Sequence, residues 1–110
     1  MAVKKQIKAP LHLRKDTARW WSEVVREWSL EEHHRRLLTL ASEAWDRATE
    51  ARETLKKAGA YYKDRFGQPK EHPALGVERD SRIAFARLIR ELDLDTSPAP
   101  DSGRTRGYRR

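Results

Sequence analysis

The chain has 110 residues, of which 37% are hydrophobic and 37% charged, with a formal net charge of +7. That length allows one domain at most, and the low apolar content argues against a large private core. With no cysteine, a disulfide framework, a thiolate metal site and a cysteine nucleophile are all excluded.

The charge is unevenly placed. Residues 1–16 hold Lys4, Lys5, Lys8, Arg14 and Lys15 against Asp16, a net +4, while residues 97–110 hold Arg104, Arg106, Arg109 and Arg110 against Asp101, a net +3. The middle is therefore neutral. A neutral scaffold with basic flanks fits attraction to a polyanion through mobile arms, which makes these nine cations candidate DNA contacts; the alternative reading is that the basic tails merely aid solubility. No apolar run approaches the length of a membrane span, and the N-terminus has charge without an apolar stretch behind it, which points to a cytosolic protein.

In chain order, residues 1–15 read as a basic arm, and Ala9-Pro10 separates it from a first helix over about 16–28 with Asp16 as N-cap. Trp20, Trp21, Val24, Val25 and Trp28 recur every three or four residues and form one apolar face. Core packing explains them better than base stacking does. Ser29-Leu30-Glu31-Glu32 reads as a capping box opening a second helix over about 30–58, ended by Gly59 in a left-handed conformation. Leu37, Ala41, Ala44, Ala48, Ala51, Leu55 and Ala58 alternate in steps of four and three, a coiled-coil-like seam rich in alanine. Glu31 with Arg35, Glu32 with Arg36, Glu43 with Arg47 and Glu53 with Lys57 are spaced as ion pairs on the solvated face.

Asp64-Arg65-Phe66-Gly67, with aromatics before it and Pro69 after, predicts a short two-stranded hairpin over about 61–70 on an exposed edge. His72-Pro73 opens a third helix that continues to about Leu92 and runs antiparallel to the second. The fold class is thus all-α, apart from the hairpin. Around Ile83, Ala84, Phe85, Leu88 and Ile89 the third helix is apolar on more of its circumference than one neighbour can cover. The surplus predicts a subunit interface in which Phe85 and Ile89 join Leu37 and Trp45 of the second helix. In Glu78-Arg79-Asp80-Ser81-Arg82, Glu78 pairs with Arg82 across one turn, leaving Arg79 and Asp80 to tie neighbouring helices or subunits together. From Thr96 onward, residues 96–110 have the composition of a flexible tail.

Chemistry is sparse. The five glycines form no phosphate-binding loop, and nearly all acids lie within ion-pairing distance of a basic residue, so no candidate for a perturbed acid stands out. His33 and His34 are adjacent on a helix, so they are expected to diverge, which argues against a metal site. No cofactor and no catalytic residue is expected. Arg35 and Arg36 at the start of the second helix are further candidate DNA contacts, although each has an acidic neighbour.

As one string, Glu27-Trp28-Ser29-Leu30, His33, Leu37-Leu38, Glu43-Ala44-Trp45-Asp46-Arg47-Ala48, Asp64-Arg65-Phe66-Gly67-Gln68-Pro69, His72-Pro73 and Glu78-Arg79-Asp80-Ser81-Arg82 resemble the small terminase subunit of tailed bacteriophages. The branch is one found in actinobacterial phages and prophages, and the resemblance spans about residues 14–95. It implies a ring of identical subunits in the bacterial host's cytoplasm that recognises double-stranded viral DNA and hands it to a large ATPase and nuclease subunit. Small terminases often carry an N-terminal helix-turn-helix reader; here the candidate is the first helix, the Ser29-Leu30 turn and the start of the second helix, although that turn holds no glycine. Two other readings remain open. A protein-protein adaptor would assemble without salt-sensitive DNA binding, and a small DNA-binding regulator would bind one operator as a dimer.

Overall fold

The computed structural model describes residues 7–94 and, at the level of the backbone, residues 108 and 109. Three helices carry the architecture: α1 (Lys15–Glu27), α2 (Glu32–Ala58) and α3 (Pro73–Leu92). Four short strands join or flank them: β1 (Trp28–Ser29), β2 (Tyr61–Lys63), β3 (Pro69–Glu71) and β4 (Tyr108–Arg109). The chain is therefore mainly α-helical, with helices two and three antiparallel and a hairpin between them, as the patterning predicted.

The core lies where α1, the first turns of α2 and the last turn of α3 meet. Leu13, Trp21, Val24, Val25, Trp28, Leu30, Leu38 and Leu92 are buried there, and Ala9, Ala18, Trp20, Leu37 and Leu94 pack around them. The apolar stripe of α1 is thus core, and the Trp21 indole N–H donates to the Thr39 hydroxyl at 3.1 Å. Leu13, within the stretch read as an arm, belongs to this core as well. Residues 1–6 lie outside the described residues.

Away from this core, α2 rests mainly on α3 alone. Ala41, Ala44, Ala48 and Ala51 of α2 and Ala74 and Ser81 of α3 are buried, so small side chains on both helices form the seam and let the backbones approach closely. Leu37 and Leu55 are half-buried, while Ala58 is exposed at the helix end. Ser42 is fully buried in the same helix, and its hydroxyl has no hydrogen-bond partner among the described residues.

The starts of α1 and α2 differ from the sequence expectation. Asp16 sits exposed in the first turn of α1, and the N-cap is Arg14, whose own side chain makes no capping bond. Its backbone N–H instead donates to the Asp46 carboxylate of α2 at 2.8 Å, which anchors the helix start from outside. For α2 the capping pair is Glu31 and His34, two residues later than the predicted box, and the Glu31 N–H donates to His34 Nδ1 at 3.3 Å. The reason is tertiary. Burying both Trp28 and Leu30 keeps the chain extended between the helices, and that extended piece, β1, pairs antiparallel with β4, Trp28 opposite Arg109 and Ser29 opposite Tyr108. Of the predicted tail, this strand is described; residues 95–107 and 110 lie outside the described residues.

α2 ends at Gly59, whose φ of 85° and ψ of 159° lie outside the left-handed helical region but in territory that only glycine enters readily. The hairpin follows, with Tyr61 opposite Glu71, Tyr62 opposite Lys70 and Lys63 opposite Pro69. Its turn is closed by the Gly67 N–H on the Asp64 carbonyl at 2.9 Å, while the Asp64 carboxylate accepts from the N–H groups of Phe66 and Gln68 at 2.8 and 2.9 Å. Gly67 supplies the positive φ, 77°, that closing this turn requires. α3 then begins with Pro73 at its first position and the His72 ring Nδ1 accepting from the Ala74 N–H at 3.0 Å.

Candidate nucleic-acid and subunit interfaces

The cations singled out in the sequence fall into three structural groups. Lys4, Lys5, Arg104, Arg106 and Arg110 lie outside the described residues. Lys8 and Lys15 are exposed, and the backbone of Arg109 lies in β4 beside Trp28. Arg14, Arg35 and Arg36 are engaged within the fold.

Arg14 spans from the start of α1 to α2, its two terminal nitrogens donating to the two oxygens of Glu53 at 3.0 and 2.9 Å. This forked geometry raises the Arg14 pKa, through the hydrogen bond first and the Glu53 charge second. The same bond holds the Glu53 carboxyl below the usual carboxylate range. Glu53 was expected to pair with Lys57 one turn away, and Glu43 with Arg47; instead Glu43 accepts from His12 Nε2 at 2.7 Å. The N-terminal segment crosses over α2 and takes both acids. Helical spacing could not reveal partners 31 and 39 residues distant.

Arg35 is half-buried and donates to the Leu30 carbonyl at 3.0 Å rather than pairing with Glu31. Arg36 pairs with Glu32 at 3.3 Å as expected. Together with Thr39, Leu40 and Glu43 they line a shallow, open depression of mixed charge. The link between α1 and α2 is an extended strand rather than a tight turn, and the tryptophans of α1 face the core.

Among the residues expected at a subunit interface, Trp45 and Phe85 are brought together, with ring centroids 5.0 Å apart and planes at 56°. The spacing had not marked Trp20 as their neighbour, yet its ring lies 6.3 Å from Phe85. One aromatic from each helix, with Asp16 and Thr17 at the side, lines a largely apolar cleft of about 330 Å3. Trp45 remains 46% exposed, and the Arg52 guanidinium lies 5.9 Å over its ring. Leu37 instead packs on the core, and Ile89 is half-buried. Glu78, less exposed than its partners, accepts from Arg82 at 3.3 Å and from Arg52 at 3.5 Å, so one carboxylate ties α2 to α3. Arg79 and Asp80, expected to tie neighbouring helices or subunits together, pair with each other at 3.3 Å on the exposed side of α3.

The histidines also differ from expectation. At the first turn of α2 the His33 and His34 rings converge to 4.1 Å, and with Glu31 they bring three ligand-type atoms within 4.8 Å of one another. The buried His34 accepts a cap hydrogen bond through Nδ1, and His33 Nδ1 faces the Glu31 carboxylate at 3.5 Å. Both contacts serve the helix start, whose positive dipole end disfavours a bound cation. Among the described residues, no helix is long and apolar enough to cross a membrane.

Residues 18–100 match the family described as phage terminase, small subunit. No curated protein and no solved structure matches the chain.

Proposed function

Since the chain belongs to the phage terminase small-subunit family, with the role in phage DNA packaging that this family carries, we propose that it is a non-catalytic ring-forming subunit of the packaging motor. In this reading several copies close into a ring, bind double-stranded viral DNA, deliver it to the large ATPase and nuclease subunit, and regulate that subunit in the host cytoplasm. The family match over most of the chain is the observation that carries the reading.

Two features support the finer parts. Trp45, beside Phe85, leaves nearly half of its surface in water, and Val77 and Ile83 of α3 are also exposed. Exposed apolar side chains on one helical pair suit a contact between copies, and a repeated contact closes a ring when its rotation completes a circle. The basic termini suit DNA: Lys4, Lys5, Lys8 and Lys15 at one end and Arg104, Arg106, Arg109 and Arg110 at the other supply the charge that phosphates attract. Arg14, bound to Glu53, contributes less free charge.

The reading is tested by native mass spectrometry together with DNA titration across a salt series. A closed homo-oligomer whose DNA affinity falls steeply with salt is expected. A monomer at micromolar concentration that ignores DNA at low ionic strength overturns it. Deleting residues 1–6 and 103–110 should weaken DNA binding if the termini act as described.

A further inference from the structure

The hairpin β2–β3 has no evident duty in the fold. All six strand residues are exposed, and the hairpin joins the ends of α2 and α3 that lie farthest from the tryptophan core. At about 1.5 Å per residue, the 27 residues of α2 set it some 40 Å from the start of that helix. Yet it presents three aromatic rings to water: Phe66 is 76% exposed, Tyr61 62% and Tyr62 48%. The tip is held by three hydrogen bonds to Asp64, one to its carbonyl and two to its carboxylate, so the Phe66 backbone is fixed without help from a core.

The charge of the hairpin is available in a way that the charge of five arginines of the helical body is not. Arg14, Arg36, Arg52, Arg79 and Arg82 each face a carboxylate. Lys63, Arg65 and Lys70 make no ion pair among the described residues, and the Arg65 guanidinium lies 5.1 Å over the Phe66 ring. Asp64, the acid nearest the tip, has one carboxylate oxygen turned to the turn's own N–H groups. Lys56 and Lys57 close α2 just before the hairpin and add to the positive end.

We propose that this hairpin is a second DNA-contacting element, with Lys63, Arg65 and Lys70 meeting phosphates of the duplex and the Phe66 ring set against the groove or between base steps. It rests on the reading of the chain as a DNA-binding packaging subunit but places a contact away from the termini. Free cations beside an exposed ring match the two things a nucleic acid offers, phosphate charge and flat aromatic or sugar surface. Aromatic and arginine side chains also suit protein interfaces, but Lys63 and Lys70 favour the nucleic acid, because lysine is depleted at the centre of protein interfaces.

The experiment measures fluorescence anisotropy of a short labelled duplex with the full chain over a salt series. It compares the parent with a Lys63→Gln, Arg65→Gln, Lys70→Gln triple variant, a Phe66→Ser variant, and a variant with Lys4, Lys5, Lys8, Arg104, Arg106 and Arg110 changed to Gln. All replaced hairpin side chains are exposed, and unchanged helical circular dichroism and native mass confirm the fold. The hairpin triple variant should lower the slope of log affinity against log salt by about 2 to 3, at roughly 0.9 for each phosphate no longer neutralised. Phe66→Ser should weaken binding by about fivefold or more with the slope retained. In the unaltered chain, acetylation footprinting should show Lys63 and Lys70 protected by DNA, a readout independent of any variant.

Unchanged affinity and slope in both hairpin variants, with the weakening confined to the termini variant, overturns the hairpin proposal and leaves the proposed function standing. A parent that binds no duplex at low salt overturns both. Hairpin variants that bind DNA as the parent does but alter the assembly's mass make the hairpin a protein contact, which also overturns the proposal.

Discussion

The Thr17 hydroxyl donates to Asp46, 29 residues away, and that buried carboxylate also accepts the backbone N–H of Arg14. A single acidic side chain of α2 therefore fixes where α1 begins and how it lies across α2. Its charge is tolerated at 7% exposure because both oxygens have donors.

Asp46→Ala should accordingly destabilise the fold by about 2–3 kcal/mol, the range for losing hydrogen bonds to a charged, buried acceptor. Thr17→Val should cost about 1–2 kcal/mol, since it leaves one carboxylate oxygen without its hydroxyl. Urea denaturation of both single variants and the double variant checks this. A coupling energy near zero would mean that the two groups do not act as a pair.

The Arg14–Glu53 fork predicts a pH dependence. Glu53 titrates below its usual range in the folded state, so the pair's stabilisation is complete above the unfolded value of about 4.3 and fades as pH falls through the lower folded value. Arg14, whose pKa is raised, stays charged throughout this window. Both side chains are solvated, so the effect is small. Thermal melts from neutral to acidic pH should show a slightly shallower acid loss in Glu53→Gln than in the parent. Identical acid limbs would exclude a role for the pair.

Ser42→Ala should leave stability unchanged or raise it by about 1 kcal/mol. The hydroxyl is fully buried without a partner among the described residues, and its removal ends a desolvation cost while placing the best helix former in α2. Chemical denaturation reads the difference, and a clear loss of stability would point to a partner for the hydroxyl.

Gly67→Ala should loosen the hairpin tip while sparing the helices. A Cβ there meets nothing within 4 Å, so the cost is purely conformational, about 1–2 kcal/mol for a left-handed residue with a side chain. Amide exchange should accelerate at Phe66, Gly67 and Gln68 with little change in global melting. Unaltered exchange would show that the turn does not depend on glycine.

Trp45→Ala tests the aromatic surface. With 46% of the residue in water, removing the ring should reduce protomer stability less than the about 3–5 kcal/mol typical of a core tryptophan. If copies meet there, native mass spectrometry should show the assembly shifting toward smaller species. Retention of the full assembly would place the subunit contact elsewhere.

Periodicity was sufficient for the three helices and the hairpin, but not for β1 and β4. The stripe Trp20, Trp21, Val24, Val25, the buried alanines of α2, the Asp64–Gly67 turn and Pro73 at the start of α3 are local signals, and each appears where its spacing put it, whereas Trp28 leaves the helix for β1 and Ala58 is exposed. These patterns act within one or two turns, over which backbone geometry alone decides which side chains share a face. Ends were harder to read: Asp16 and Ser29 were plausible caps, but burial of Trp28 and Leu30 and the reach of Asp46 shifted the true starts.

Of the candidate site residues, the sequence marked Trp45 and Phe85 but not their companion Trp20, and marked Arg14 as free charge when Glu53 binds it. It also passed over the exposed aromatic and basic side chains of the hairpin as mere turn residues. Sequence by itself determined the helical class, the antiparallel return of the chain and the concentration of charge at its ends, because propensity, capping and composition are properties of neighbouring residues. Only the tertiary structure decided that Arg14 and Arg52 reach carboxylates on another element, which aromatics form one cleft and which polar groups are buried, because those depend on how α1, α2 and α3 pack, and packing joins residues such as these, 39 and 26 positions apart, that no local pattern connects.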